Sequence, residues 1–177
     1  FSYYISQPLK IFYVWEGGSS FHGGLVGALI AVFLFTKKYN LSFWKVADLL
    51  TLPGILFLAI GRVANFLNQE IVGTVTNLPW CVKFLLKDPE NCRHPVQLYA
   101  AFGRLFTFFL LMRFHNKYKD GFIFWSFIFL IGIGRFVLDF IRDDARYLWL
   151  SIGQWLSVLM AIISGYFLFR NYRKEII

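Results

Sequence analysis

The sequence predicts an all-α protein, a polytopic bundle of transmembrane helices. Three observations carry that expectation. The chain of 177 residues is 58% hydrophobic and 21% aromatic, with a mean hydropathy of +0.56. Only 16% of its residues are charged, where a soluble domain carries about a quarter. Those charges fall in short clusters between five apolar runs of roughly 16 to 21 residues, near the length a helix needs to cross a bilayer. Too little polar surface is left for water, so the bilayer is the solvent this composition suits. The net charge of +8 punctuates apolar runs, which fits membrane topology and speaks against a soluble nucleic-acid binder.

The runs are Phe21 to Thr36, Val46 to Phe66, Gln97 to Phe114, Gly121 to Ile141 and Trp149 to Phe169. Pro53 lies inside the second, where a membrane helix kinks rather than ends. Lys37, Lys38 and Lys45, then Arg113, Lys117 and Lys119, then Arg170, Arg173 and Lys174 alternate onto one side. The other connections mix Lys10, Lys83, Lys87, Arg93 and Arg146 with acids. The positive-inside rule makes the first set cytoplasmic, with the N-terminus outside and the C-terminus inside. Residues 1–20, with Tyr3, Tyr4, Phe12, Tyr13 and Trp15, read as an interfacial segment on the outer face. The chain, 1–177, reads as a single transmembrane domain with an extracytoplasmic loop over 69–95. That loop holds Cys81 and Cys92, a disulfide if the face is oxidising and two free thiols otherwise. Their spacing is not a zinc pattern. A start at Phe1, without Met, leads us to expect that the natural protein begins earlier.

Ionisable groups inside spans are costly and are usually paired or functional. His22, with Gly23, Gly24 and Gly27 after it, is either a base near neutrality or an interfacial histidine beside packing glycines. Arg62, Asn65 and Gln69 share a helical face at the end of the second run. That face suits an anionic phosphate, unless Arg62 is spent on Glu70 or Asp139. His94-Pro95-Val96-Gln97-Leu98-Tyr99 introduces the third run, and Arg104 two turns on reads as the partner of a buried acid. Arg135, Asp139 and Arg142 form a ladder in which Asp139 pairs with one arginine and leaves the other free, or which is purely structural. All four features fall at the outer ends of their helices. One shared site for a phospholipid headgroup explains that better than four accidents.

The stretches FHGGLVG (21–27), GRVANFLNQEIVG (61–73), HPVQLY (94–99), GRFVLDFIR (134–142) and SIGQWLS (151–157) occur in this order. The set resembles the bacterial prolipoprotein diacylglyceryl transferase family across nearly the whole chain. The resemblance implies transfer of the diacylglyceryl group of phosphatidylglycerol to the lipobox cysteine of a prolipoprotein signal peptide. A thioether forms and glycerol phosphate leaves. It implies a bacterial inner-membrane location with the site facing outward, membrane lipids as further partners, no nucleic acid, and no metal or organic cofactor. It makes His22 the base, with His94 as competitor, and Arg62 and Arg135 the holders of the phosphate. It adds Gly23, Gly24, Asn65, Asn68, Tyr99 and Asp139 as headgroup contacts. The chain departs from the family's pattern in Ile131 for Tyr, Ala100 for Glu, and Ala64 and Gln69 for Gly. It also shows five spans where the family has about seven, so the family's N-terminal spans are expected to be lacking. Those departures keep open an alternative, a catalytically inactive phospholipid-binding membrane protein of the same fold. A transporter or channel would line both leaflets with charge, and the cytoplasmic halves of these runs are nearly bare of it.

Overall fold

The computed structural model describes residues 21–115, 117–143, 146–147 and 149–176, with 21–26, 146–147 and 174–176 described for their backbone alone. The interfacial segment expected over 1–20 lies outside the described residues. The chain divides into two units, Phe1–Phe43 and Trp44–Ile177.

The first unit contributes helix α1 (Phe21–Lys38). Lys37 and Lys38 close its last turn, where unpaired carbonyls favour cations. Asn40 then takes a left-handed conformation (φ 51°), and the Leu41 amide donates back to the Thr36 carbonyl at 2.9 Å. Asn tolerates this turn better than other residues with a Cβ.

The second unit runs through α2 (Phe43–Leu67), a hairpin of β1 (Val82–Phe84) and β2 (Asp88–Arg93), α3 (Val96–Met112) and α4 (Phe122–Leu138). A 3-10 turn (Asp139–Ile141), the short pair β3 (Arg146–Tyr147) and β4 (Leu150–Ser151), and α5 (Ile152–Ile176) follow. Among the described residues three helices are long and apolar enough to cross a membrane, over Phe43–Leu67, Phe122–Ile141 and Ile152–Arg173. Val96–Met112 is apolar but shorter. Pro53 lies inside α2, which continues on both sides of it. The last run was expected from Trp149, but the helix starts at Ile152. Trp149 instead makes the β3–β4 turn at φ 72°.

Large apolar side chains stand exposed along these helices, among them Phe57 on α2 and Phe102, Phe106 and Phe109 on one face of α3. In water this would be an aggregation surface. Against lipid tails it costs nothing. The α4–α5 seam uses small residues instead. A Cβ on Gly132 would lie 3.1 Å from the Ser157 carbonyl oxygen, and one on Gly165 would lie 3.4 Å from Phe129. Ser157 and Ser164 are buried here, and their hydroxyls donate to carbonyls of their own helix, Gly153 at 2.7 Å and Met160 at 2.6 Å. That satisfies the polar groups while letting the helices approach.

The two ends of the second unit differ in chemistry. At one end Ile55, Leu111, Phe122, Ile123 and Tyr172 form the core. Asp48 of α2 caps α4 from outside it, accepting from the Gly121 amide at 2.7 Å and the Phe124 amide at 2.8 Å. A carboxylate there satisfies orphan donors and meets the positive end of the helix dipole. Gly121 has φ 95°, and a Cβ on it would sit 2.6 Å from the Tyr172 hydroxyl, so glycine is needed twice over. That hydroxyl donates to the Asp120 carbonyl at 2.7 Å.

At the other end the hairpin stands over the ends of the helices. Cys81 and Cys92 are disulfide-bonded with Cα atoms 5.5 Å apart, which decides between the two readings of that pair. In the chain-entropy account, closing so short a loop stabilises by about 3 kcal/mol. Phe84 is buried and meets Phe66 of α2 edge-on. Arg93 binds the hairpin to its surroundings. Its Nε donates to Asp88 at 2.7 Å, and its Nη1 donates to Asp143 at 2.8 Å and to the Gly73 carbonyl at 2.9 Å. The Arg93 guanidinium holds the Asp88 carboxyl below the usual carboxylate range.

Asp48→Ala should remove the cap from α4 and leave two amides unpartnered. Loss of about 1–2 kcal/mol of stability is expected. Thermal unfolding in detergent micelles measures this, and an unchanged midpoint would show the cap to be dispensable.

Candidate functional site

Between the polar ends of α2, α3 and α4 opens a cavity. Its charged lining is Arg62, Arg104, Arg135, Arg142 and Asp139, and most of the remaining wall is apolar, including Ile131, Phe127 and Leu130. Each arginine arrives for a structural reason. Arg62 lies on the last turns of α2, Arg104 two turns into α3, and Arg135 in the last turn of α4.

Asp139 is the fixed point. Its side chain is 1% exposed. Arg142 Nη1 donates to its Oδ1 at 3.2 Å, the Ser151 hydroxyl donates to Oδ2 at 3.1 Å, and Arg135 Nε lies 3.9 Å from Oδ2. Asp139 is therefore not spent on one arginine alone, the pairing expected from the spacing of the ladder. The carboxylate contacts both, bonding Arg142 and standing beside a half-exposed Arg135.

Ser151 is itself held by a capping box. Its hydroxyl accepts from the Gln154 amide at 3.0 Å, and Gln154 Oε1 accepts from the Ser151 amide at 2.8 Å. Gln154 Nε2 reaches the Phe136 carbonyl on α4 at 3.3 Å. Between them stands Gly153. A Cβ there would collide with Asp139 Oδ2 and lie 3.1 Å from Arg135 Nη2. Ser151, Gly153 and Gln154 thus position the acid and its arginine. None of the three stands among the residues expected to form the site, though S-x-x-Q before an apolar run is a legible capping signal.

Arg62 has no carboxylate within salt-bridge distance among the described residues. Glu70 instead accepts from Asn65 Nδ2 at 2.8 Å, and Asp139 serves the contacts above. Gln69 falls off the face it was expected to share with Arg62, because α2 ends at Leu67 and Gln69 has φ 56°. Its Oε1 accepts from the Leu86 amide at 2.7 Å and so ties down the hairpin. Among the described residues Arg104 has no buried acid as partner, contrary to expectation. Its Nη1 donates to Ala100 of its own helix at 2.9 Å.

Asn65, Asn68, His94 and Tyr99 do not line the cavity. Asn65 is a turn beyond Arg62, and Asn68 is exposed. His94 Nδ1 lies 3.4 Å from the Tyr99 hydroxyl, which also accepts from Trp80 Nε1 at 2.8 Å. Gly73 lets this corner close. Its amide donates to the His94 carbonyl at 3.1 Å, and a Cβ on it would lie 2.6 Å from His94 Cβ. Ile71, which lines the cavity, has φ 54°, a strained conformation for a β-branched residue. His22, Gly23 and Gly24 lie in α1, and their side-chain surroundings are outside the described residues.

A family model described as prolipoprotein diacylglyceryl transferase matches residues 1–170. The chain belongs to the prolipoprotein diacylglyceryl transferase family. Relatives of this transferase family bear the same name, phosphatidylglycerol–prolipoprotein diacylglyceryl transferase. One from Polynucleobacter asymbioticus is 42% identical, over 96% of this chain and 67% of the relative. One from Brucella anthropi is 41% identical, over 98% and 65%. One from Cupriavidus metallidurans is 37% identical, over 97% and 66%. The chain thus spans about two thirds of the length of the diacylglyceryl transferases it matches.

Gly153→Ala should push Asp139 and Arg135 apart at a cost of about 1–3 kcal/mol. Gly54→Ala, where an added Cβ meets nothing within 4 Å, is the control. Equal unfolding midpoints for the two variants would show that the acid tolerates displacement.

Proposed function

We propose that the protein transfers the diacylglyceryl group of phosphatidylglycerol to the lipobox cysteine of a prolipoprotein. What carries this reading is one cavity into which two family arginines, Arg62 and Arg135, project from different helices amid apolar walls. Such a cavity suits a lipid with an anionic headgroup. Guanidinium groups hold phosphate oxygens, while acyl chains need only apolar surface.

The chemistry follows from the bonds exchanged. The cysteine sulfur attacks the glyceryl carbon next to the phosphate. The C–S bond forms, the C–O bond breaks, and its electron pair stays on the phosphate oxygen. A free thiol has a pKa of about 8.5 and is mostly protonated at neutral pH, so removing its proton helps. His22 is the base in this reading, with His94 as competitor. Arg62 and Arg135 hold the charge that grows on the leaving phosphate. Asp139 keeps Arg135 aimed, and Asn65, Asn68, Gly23, Gly24 and Tyr99 serve headgroup or peptide binding. No metal or organic cofactor enters the scheme.

The reading includes five spans, with the N-terminus outside, the C-terminus inside and the site at the outer leaflet of a bacterial inner membrane, all in one transmembrane domain. The clustering of Lys and Arg in alternate connections supports that orientation. A second reading, lipid binding without turnover, is favoured by Ile131, which lines the cavity where the family often has Tyr.

Lipidation of a lipobox peptide in phosphatidylglycerol vesicles separates the two readings, since a silent binder leaves the peptide unmodified. Arg62→Ala and Arg135→Ala should each lower transfer by about a hundredfold or more while the protein still inserts. Full activity in both would sink the assignment. His22→Gln should remove the rise in rate with pH that a neutral imidazole gives. An unchanged profile would pass the role of base to His94 or to a phosphate oxygen.

A further inference from the structure

Two polar atoms of α3 are buried at the cavity wall without a hydrogen-bond partner among the described residues, Gln97 Oε1 and Arg104 Nε. Both residues line the cavity. They are seven positions apart, two helical turns, and so share a face. Between them Ala100 and Gly103 keep that face low, and a Cβ on Gly103 would meet nothing within 4 Å.

The orphan atoms differ in chemistry. Gln97 is 1% exposed, and its Nε2 donates to the Glu70 carbonyl. That bond fixes which end of the amide is nitrogen, so Oε1 is an acceptor with no donor. Arg104 donates to a carbonyl of its own helix, and the charged groups that act on it are Arg62 and Arg135, both cations. A guanidinium that shares a cavity with other guanidiniums beside an apolar wall is a place for an anion.

We propose that Arg104 and Gln97 form a leaving-group subsite. Arg104 takes an anionic oxygen of the phosphate, and Gln97 Oε1 accepts from a hydroxyl of the glycerol attached to it. The proposal rests on the transfer reading above, and the charge that develops on the leaving phosphate favours the product side. The lipid's phosphodiester carries one negative charge. When the C–O bond breaks the electron pair stays on phosphate, the thiol proton goes to the base, and a monoester remains. Its second ionisation falls near pH 6, as for a phosphorylated side chain, so about two charges are present at pH 7. Arg142 is offset by Asp139, and Arg62 and Arg135 serve the diester in the transfer reading. Arg104 adds a donor for the oxygen whose charge appears only as the bond breaks, which is where binding energy raises the rate.

A phosphate bearing a glycerol is common to the lipid headgroup and to free glycerol phosphate, and binding measurements separate the two. Full-length protein in non-ionic, phosphate-free micelles is titrated with glycerol phosphate, inorganic phosphate and short-chain phosphatidylglycerol. Arg104→Met should weaken both free phosphates about tenfold or more and the lipid far less. Arg104→Lys should recover part of the loss. Gln97→Leu should weaken glycerol phosphate and spare inorganic phosphate. In the transfer assay Arg104→Met should lower kcat, leave KM for the lipid nearly unchanged and relieve inhibition by glycerol phosphate.

Equal loss for lipid and product would overturn the leaving-group assignment, as would wild-type affinity for glycerol phosphate in Arg104→Met. Equal loss of both free phosphates in Gln97→Leu would overturn the role of the amide. If the wild type binds glycerol phosphate through these residues yet never lipidates a peptide, the transfer reading fails and the leaving-group role with it, leaving only an anion site.

Discussion

One buried carboxylate organises the functional end of this protein. Asp139 sits where α4 tightens into a 3-10 turn, almost wholly shielded, and an acid in such a place must be paired and hydrogen-bonded. Its partners come from both directions along the chain. Arg135 lies a turn before it, Arg142 a turn after, and Ser151 at the start of the next helix. Meeting the needs of one acid therefore brings the end of α4 and the start of α5 together, with a capping box as the clasp. The half-exposed guanidinium of Arg135 inherits its place from that arrangement.

The second unit is divided between two solvents and two tasks. Its aromatic end is a core in the ordinary sense, with stacked rings and a helix capped from outside by Asp48. Its polar end carries the cavity, a strained Ile71 and a hairpin anchored by Arg93. Keeping strain and unpartnered charge away from the aromatic core lets one end be rigid while the other is available for ligands. Along the sides, phenylalanines face outward and small residues face inward, the reverse of a soluble bundle.

Much of this was legible before any coordinates. Apolar runs announced the helices because length and composition alone decide what a bilayer accepts. The Arg135–Asp139–Arg142 ladder was legible because helical spacing is local. Other features depended on contacts distant in sequence. Arg104 read as the partner of a buried acid because its helix alone cannot reveal that its charged neighbours are Arg62 and Arg135. Gln69 read as part of a helical face because propensity does not mark where α2 stops, two residues earlier. Asp48 gave no local sign of capping a helix whose N-cap, Gly121, lies 73 positions later. Gly73 and Gly153 are needed because His94 and Asp139 press on them, which no pattern of glycines discloses.

The disulfide in the hairpin has one more consequence. Cys81 and Cys92 are the chain's two cysteines, and they are bonded to each other. These 177 residues therefore bring no free sulfhydryl to the proposed transfer, whose nucleophile is sulfur. A catalyst with a spare cysteine beside an electrophilic lipid would risk alkylating itself. In these residues both sulfurs are locked in the hairpin, so in the proposed reaction the attacking thiol is the acceptor's, and maleimides that quench the acceptor will find no free cysteine among them to modify.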